Sequence, residues 1–152
     1  MTKQQSFTIA MTGTSKGHLL TEHQCHQFKE HLQTLWTQGF IHFRHGDCVG
    51  ADALGHQYAS EVGYSIIIHP PNKSRLRAFC QSHNILPEQE YRERNQAMVN
   101  GCDLLLALPN RNKEVNRSGT WMTVRMARRA NLPIVIFYPD GRVVKENQNL
   151  LF

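Results

Sequence analysis

Short apolar runs alternate with amphipathic segments along the chain. Five apolar runs have the length of strands, at residues 7–11, 40–47, 64–71, 103–109 and 133–139. Between them, apolar residues recur at helical spacing, and in the first such segment Thr21 and Gln24 predict a capping box at the helix start. Strands that alternate with helices in this way predict an α/β domain with an open, mainly parallel sheet of about five strands flanked by helices.

Glycines and prolines set the expected ends of the helices. We expect the first helix to end at Gly39, and the second to follow Gly50 and end at Gly63. Pro87 fits the first turn of a third helix that runs to about Asn100. A fourth helix is expected over 119–130.

Two segments are less regular. The stretch 72–86 is interpreted as a long connection that holds a short helix around 76–80. After the fifth apolar run, Asp140 and Gly141 predict a turn that leads into a short final strand or a tail. We therefore expect a single domain over residues 1–152, with its core at about 7–139 and a C-terminal strand or tail at 140–152.

Composition narrows the class of partner. The net charge is +5 over 152 residues, and several arginines lie near expected loops or helix starts. This mild excess favours a small acidic or phosphate-bearing ligand, with nucleic acid as the less favoured partner. Four widely spaced cysteines and the lack of an apolar opening segment are typical of a reduced, cytoplasmic protein, and no run is long enough to cross a membrane.

The histidines do not predict a metal site. His23 and His26 share one helix face, but no third and fourth ligand follow at the spacing of a structural zinc site. We accordingly expect neither a metal nor a cofactor.

Four polar, glycine-containing or helix-starting segments are expected at the same edge of the sheet, where strands end and helices begin. In open α/β sheets this edge binds ligands, and backbone N–H groups at a helix start attract anions. The candidate ligand-binding residues are Thr12, Gly13, Ser15, Gly46, Asp47, Gly50, Ala51, Asp52, Arg94, Asn95, Arg117, Ser118, Gly119 and Thr120.

Each candidate also has a purely structural interpretation. Gly46 and Gly50 could be turn residues, and Ser118 or Thr120 could serve as a helix cap. Asp52 could cap its own helix or contact a ribose hydroxyl. Trp121 could stack on a base, or be buried against a neighbouring subunit or loop. Neither the dinucleotide-binding glycine fingerprint nor the Walker A pattern is present.

Three motifs resemble the SLOG superfamily. They are Gly-x-x-x-Gly-Ala-Asp over 46–52, Arg-Asn-x-x-Met over 94–98 and Ser-Gly-Thr over 118–120. The superfamily includes the DNA-processing protein A fold, the Lonely Guy phosphoribohydrolases and small YpsA-related nucleotide-binding proteins, and the chain is most similar to the stand-alone YpsA-related branch. The resemblance covers about residues 7–139. It implies a Rossmann-like domain with a phosphate-binding loop, which binds a nucleotide-type molecule within a homo-oligomer.

The chain departs from the phosphoribohydrolase motif at one decisive position. Thr123 stands where that motif has a catalytic glutamate, and the motif's Gly-Gly pair is replaced by a polar loop over 110–116. A threonine hydroxyl does not titrate near neutrality, so it cannot replace a carboxylate base. Asp52, Glu90 and Glu93 could substitute, and the spacing singles out none of them, so catalytic residues stay unassigned.

Three functions follow from these observations. The first is a module that senses or sequesters a nucleotide or nucleotide-derived phosphate ligand at the carboxyl edge of the sheet. The second is a phosphoribohydrolase-like or other enzyme that cleaves an N-glycosidic bond. The third is a protein that binds single-stranded nucleic acid.

Overall fold

The computed structural model describes residues 5–148 and shows an α/β domain with one seven-stranded sheet. The strands are β1 (Phe7–Gly13), β2 (Phe40–His45), β3 (Ser65–Ile68), β4 (Asn84–Ile85), β5 (Leu104–Leu108), β6 (Ile134–Phe137) and β7 (Val143–Glu146). The α-helices are α1 (Glu22–Thr37), α2 (Ala51–Val62), α3 (Tyr91–Asn100) and α4 (Gly119–Arg129). The predicted α/β class is confirmed.

The sheet is parallel except at one edge. Its order is β4-β3-β2-β1-β5-β6-β7, and β7 alone pairs antiparallel to its neighbour. The order reverses between β1 and β5, because the chain moves outward from β1 through β2 and β3 and then returns to β5 on the other side of β1. Such a reversal opens a crevice at the carboxyl ends of the two central strands.

Alternate residues of the central strands face two separate cores. Ile9 and Met11 of β1 belong to a core with residues of α1 and α2, while Ala10 between them belongs to a core with residues of α3 and α4. This alternation follows from the two-residue period of a strand and buries both faces of the sheet. The helices therefore pack in pairs on opposite faces.

The start of α1 has the predicted capping box. The Gln24 N–H donates to Thr21 Oγ1, and the Thr21 N–H donates to the Gln24 side-chain oxygen. The buried Gln24 side chain also donates to the carbonyls of Pro109 and Phe137, at 2.6 and 2.8 Å. One cap thus joins α1 to the ends of β5 and β6.

The region between β3 and β5 differs from the expectation. Helix α3 begins at Tyr91 and not at Pro87, because Gln89 bridges to Pro71 and donates its N–H to the Pro70 carbonyl, which holds this segment extended. The expected short helix at 76–80 is instead a 3₁₀ turn over Ser74–Leu76. The two-residue strand β4 was not predicted from the sequence.

The end of the described chain forms the short strand that was one of the two expectations. A turn with Gly141 at φ +94 reverses the chain after β6, and β7 pairs back along it. Residues 149–152, which were included in the expected strand or tail, lie outside the described residues, as do residues 1–4. Within 5–148, no helix has the length and apolar character needed to cross a membrane.

Candidate functional site

A cavity of about 470 Å³ opens at the reversal of strand order. Its walls come from the end of β1 and its loop, the loop after β5, and the starts of α2, α3 and α4. Ten of the predicted residues line it: Thr12, Gly13, Ser15, Asp52, Arg94, Asn95, Arg117, Ser118, Gly119 and Thr120. The volume lies within the range of small-molecule sites in proteins.

The first turn of α4 presents free backbone donors to this cavity. Ser118 is the N-cap, and its hydroxyl accepts from the Trp121 N–H at 3.3 Å. Within residues 5–148, no acceptor is found for the N–H groups of Gly119 and Thr120. Both residues line the cavity, as does the exposed Arg117. Free amides, a helix dipole and a cation together favour a bound anion.

The loop after β2 is arranged differently from the start of α4. The N–H groups of Gly46 and Cys48 both donate to Asp52 Oδ2 at 3.2 Å, and the Ala51 N–H donates to the Thr14 carbonyl at 2.9 Å. The Asp52 carboxylate thus accepts two of these amides, and the Thr14 carbonyl accepts the third. Gly46, Asp47, Gly50 and Ala51 lie behind the wall and are not among the cavity-lining residues.

Gly50 and Ala51 hold the loop after β2 against the loop after β1. Gly50 has φ +91, and a Cβ there would lie 2.5 Å from the Thr14 carbonyl oxygen. A Cβ on Gly13 would lie 2.4 Å from the Ala51 side chain. These glycines permit close backbone approach, which brings the two loops together at the cavity.

The Asp47 side chain faces the loop that follows β3, away from the cavity. Its carboxylate is fully buried and forms an ion pair with Arg77 at 2.9 Å. It also accepts the Cys80 N–H at 2.9 Å. With φ 55, the backbone of Asp47 is in the left-handed region, which glycine, asparagine and aspartate adopt most readily. Its evident role is to fasten the 77–80 segment to β2.

Arg94 joins three segments beneath the cavity. It is 2% exposed, and its guanidinium donates to the carbonyls of Gly46 and His69, the latter at 2.9 Å. Its Nε donates to Asn95 Oδ1 at 2.7 Å. The guanidinium thus acts as a rigid fork that holds the loops after β2 and β3 to α3.

Asn95, which is as deeply buried as Arg94, has a side-chain N–H donor without a partner among the described residues. It is 2% exposed and lines the cavity. The bond from Arg94 fixes its oxygen, and its Nδ2 has no acceptor within the described chain. A buried amide without a partner costs free energy, so an acceptor from a ligand would be stabilising there.

Asp52 is the one carboxylate among the described residues that line the cavity. Burial raises its pKa from 3.8 to about 6, because desolvation outweighs the opposing charge of Arg94 and the two backbone donors. Both backbone N–H groups donate to Oδ2, which leaves Oδ1 without a protein donor among residues 5–148. Glu90 and Glu93, the other candidates for a relocated acid, are exposed and do not line the cavity.

Thr123 and Trp121 are core residues of α4. The Thr123 hydroxyl is fully buried and donates to the Gly119 carbonyl at 3.0 Å, which removes it from the cavity wall. Trp121 is 2% exposed and packs on Tyr138 within its own domain. Its burial therefore needs no neighbouring subunit, although Trp121 is among the cavity-lining residues.

Outside the cavity, three potential metal ligands lie close together: His45, His56 and Cys80. The Asp47 N–H donates to His45 Nδ1 at 2.9 Å, so the neutral ring carries its proton on Nε2, which lies 2.9 Å from His56 Nδ1. A metal on Nε2 would require the proton on Nδ1, against the Asp47 N–H. The geometry favours a hydrogen-bonded histidine pair.

Several cavity residues were not predicted from the sequence. Lys16, Cys48, Asn110 and Arg111 all line the wall. Asn110 Nδ2 donates to Thr14 Oγ1 at 3.1 Å and so links the loops after β1 and β5. The sequence contains a signal that could have predicted Asn110 and Arg111. Both lie in the loop after the central strand β5, and ligands of open α/β sheets bind at the carboxyl ends of the central strands, where the strand order reverses.

Three solved structures from other proteins have a fold similar to that of this chain. The molybdenum cofactor binding protein of the phototrophic bacterium Rippkaea orientalis has a TM-score of 0.66 at 17% identity, over 88% of this chain and 77% of that one. The molybdenum cofactor carrier protein of Chlamydomonas reinhardtii gives 0.62 at 19%, over 87% and 76%. The chain shares its α/β fold with both of these proteins.

The third structure is DNA processing protein A of Helicobacter pylori, which is described with a single-stranded DNA binding mode. It gives a TM-score of 0.64 at 17% identity, over 86% of this chain and 64% of that one. Neither a protein-family model nor a curated protein matches the sequence. The Rossmann-like fold that the SLOG resemblance implies is thus confirmed.

Proposed function

We propose that this chain binds a nucleotide or nucleotide-derived phosphate ligand in the cavity at the carboxyl edge of the sheet, as a sensing or sequestering module. The observation that carries the proposal is the start of α4, where two unengaged N–H groups, Gly119 and Thr120, lie beside Arg117. A phosphoryl group there would accept two backbone hydrogen bonds and a guanidinium contact. Two SLOG-type neighbours are proteins that bind or carry a molybdenum cofactor, which agrees with a small-molecule ligand.

The charge distribution sets the orientation of the ligand. Asp52 ionises above a pKa of about 6 and would then repel a phosphate at the deep end of the cavity. The cations Lys16, Arg111 and Arg117 lie in its more exposed loops. We therefore place the phosphate at α4 and the uncharged part of the ligand between Asp52 and Asn95, where an acceptor and a donor suit hydroxyl or base groups.

The test is calorimetry against nucleotides, cyclic dinucleotides, ADP-ribose derivatives and the molybdenum cofactor. We expect at least one phosphorylated compound to bind, and Arg117→Ala to weaken it by about tenfold, which corresponds to the loss of one charge-assisted contact. Arg75→Ala, which removes an exposed arginine from the 3₁₀ turn after β3, is the matched control. Absence of binding by every compound would contradict the proposal.

A second candidate is cleavage of an N-glycosidic bond. It is favoured by the position and the raised pKa of Asp52, since a carboxyl group that titrates near neutrality suits general acid–base chemistry. Incubation with nucleoside monophosphates would release free base in the wild type and not in Asp52→Asn. If the wild type releases no base, this candidate is eliminated and binding alone remains.

A third candidate, binding of single-stranded nucleic acid, is favoured by the likeness to DNA processing protein A and by the basic charge. Its signature is an affinity that falls steeply as salt rises, because counterions are released on binding. A flat salt response would count against it. The homo-oligomer implied by the resemblance stays a prediction, and native mass spectrometry of protein purified from cells would count the subunits and reveal a retained ligand.

A further inference from the structure

A second cavity of about 470 Å³ adjoins the first on the outer side of the α4 start. The two share Tyr91 and the segment 117–119. A Cβ on Gly119 would lie only 2.0 Å from Tyr91 Oη, so the tyrosine hydroxyl is packed against the helix start. Tyr91 therefore acts as the partition between the inner cavity described above and this outer cavity.

The outer cavity is lined by arginines and holds no carboxylate among its described lining residues. The four arginines are Arg92, Arg117, Arg125 and Arg129. Arg125 is engaged, because it pairs with Glu114 at 3.0 Å and donates to two loop carbonyls. Within residues 5–148, Arg92, Arg117 and Arg129 form no ion pair with a carboxylate, and all three are exposed.

Two of the four arginines, Arg125 and Arg129, lie on one face of α4. Residues 119, 122, 125 and 129 share that face at helical spacing, and Gly119 and Arg129 are separated by about 15 Å of helix rise. Arg129 lines the outer cavity together with the segment 117–119 at the shared rim. Arg92 comes from the first turn of α3 and approaches from the opposite wall. Cations from α3, from α4 and from the loop before α4 thus line the cavity that adjoins the Gly119 N–H.

We propose that the outer cavity is a second anion subsite and that the ligand carries at least two phosphoryl groups. This inference rests on the proposed function, since it takes the first phosphate to lie at the start of α4. The second phosphate lies beyond Tyr91, where Arg92, Arg117 and Arg129 supply the positive charge. Ligands of this class are nucleoside diphosphates, nucleoside triphosphates and molecules joined by a diphosphate.

The experiment is calorimetry with AMP, ADP and ATP in the presence of EDTA at constant ionic strength. The wild type should bind ADP about tenfold or more tightly than AMP, because the added phosphate reaches the arginines. In Arg92→Ala/Arg129→Ala this preference should fall below about threefold, while the affinity for AMP stays within about twofold.

The control removes the same charge elsewhere. Arg75→Ala/Lys145→Ala deletes two exposed cations outside both cavities and should keep the full preference for ADP. An unchanged thermal midpoint in both double variants would show that the fold is intact. If the control loses the preference as well, net charge explains the effect and the subsite is refuted.

Two outcomes separate this inference from the proposed function. If the wild type binds AMP and ADP equally, or if Arg92→Ala/Arg129→Ala keeps the ADP preference, the second subsite is refuted and the phosphate site at α4 stands. If AMP, ADP and ATP all fail to bind, the inference falls, whereas the proposed function falls only if every compound of the wider panel also fails to bind. Salt-sensitive binding of oligothymidylate that the double variant abolishes, without any ADP preference, would assign the outer cavity to nucleic acid and overturn the proposal.

Discussion

Asp52 is the one carboxylate among the described residues that line the inner cavity. It is buried at the start of α2, and its Oδ2 accepts the N–H groups of Gly46 and Cys48. A carboxylate in such a place is stabilised by donors and destabilised by desolvation, and here desolvation has the larger effect on its pKa. The sequence left open whether Asp52 caps its helix or meets a ligand. In the structure Gly50 is the N-cap of α2, and the Asp52 carboxylate accepts amides of the preceding loop, so the hydrogen bonds of its side chain do not cap the helix. Contact with a ligand stays a prediction.

The raised pKa of Asp52 makes the stability of the fold depend on pH. Between its usual value of 3.8 and about 6, the folded chain holds a proton that the unfolded chain has lost. The protonated Asp52 side chain therefore contributes its full stabilisation of the fold below pH 3.8, and this stabilisation is lost as the pH rises through about 6.

We expect the free energy of unfolding of the wild type, relative to Asp52→Asn, to fall by up to about 3 kcal/mol from about pH 4 to about pH 7. Urea unfolding of both proteins across this range measures the difference. A difference that stays constant would show that Arg94 and the backbone donors balance burial, and one that changes in favour of the wild type as the pH rises would show that they outweigh it.

Gly119 provides a second test at the scale of one residue. The variant Gly119→Ala places a Cβ against Tyr91 Oη, so the tyrosine must move from the partition between the cavities. Tyr91 is 40% exposed and can move outward, and alanine is a favourable helix residue, so stability should change by less than about 1 kcal/mol. Ligand affinity should fall by about tenfold or more. Unfolding and calorimetry on the same sample separate the two effects, and an unchanged affinity would contradict the placement of the phosphate.

Among the elements, the junction of β2 and α2 depends most on a single backbone conformation. Gly50 adopts φ +91 and approaches the backbone of residues 14 and 15. We expect Gly50→Ala to lower the free energy of unfolding by at least about 2 kcal/mol, since it combines backbone strain with a collision.

Gly141→Ala is the matched comparison for Gly50→Ala. Gly141 has φ +94, but a Cβ there would meet only ordinary contacts near His23, at 3.5 Å or more. Its cost should be about 1 kcal/mol, from backbone strain alone. Equal losses in the two variants would mean that the close approach between the loops after β1 and β2 contributes nothing.

The elements that the sequence predicted well are those with local signals. The start of α1 followed from Thr21 and Gln24, and the end of α2 from Gly63, which adopts a left-handed conformation with φ +116. The start of α3 was wrong because Pro87, although suited to a first helical turn, is held extended by a bond between Gln89 and the distant Pro70. A two-residue strand such as β4 has no period to detect. Both failures come from long-range contacts that a local pattern does not contain.

At the scale of the whole molecule, the strand order determines where the candidate site forms. The order reverses between β1 and β5, so α1, which follows β1, and α4, which follows β5, pack on opposite faces of the sheet. The loops after β1 and β5 therefore diverge and leave a cavity between them. Alternation of strands and helices predicted this edge from the sequence. It did not predict which loop amides would be free, because that depends on side chains such as Asp52 that engage them from a distance. The assignment of individual ligand contacts accordingly stays a prediction.

The central claim is that the free N–H groups at the start of α4 bind phosphate. The most direct test is a ¹H–¹⁵N NMR titration that compares each nucleoside monophosphate with its unphosphorylated nucleoside and follows the amide signals of Gly119 and Thr120. We predict that both signals shift with at least one monophosphate and move far less with the corresponding nucleoside, while Val49, whose N–H is already bonded to Leu76, stays unchanged. Equal shifts with nucleoside and nucleotide, or no shift with any phosphorylated compound, would contradict the claim.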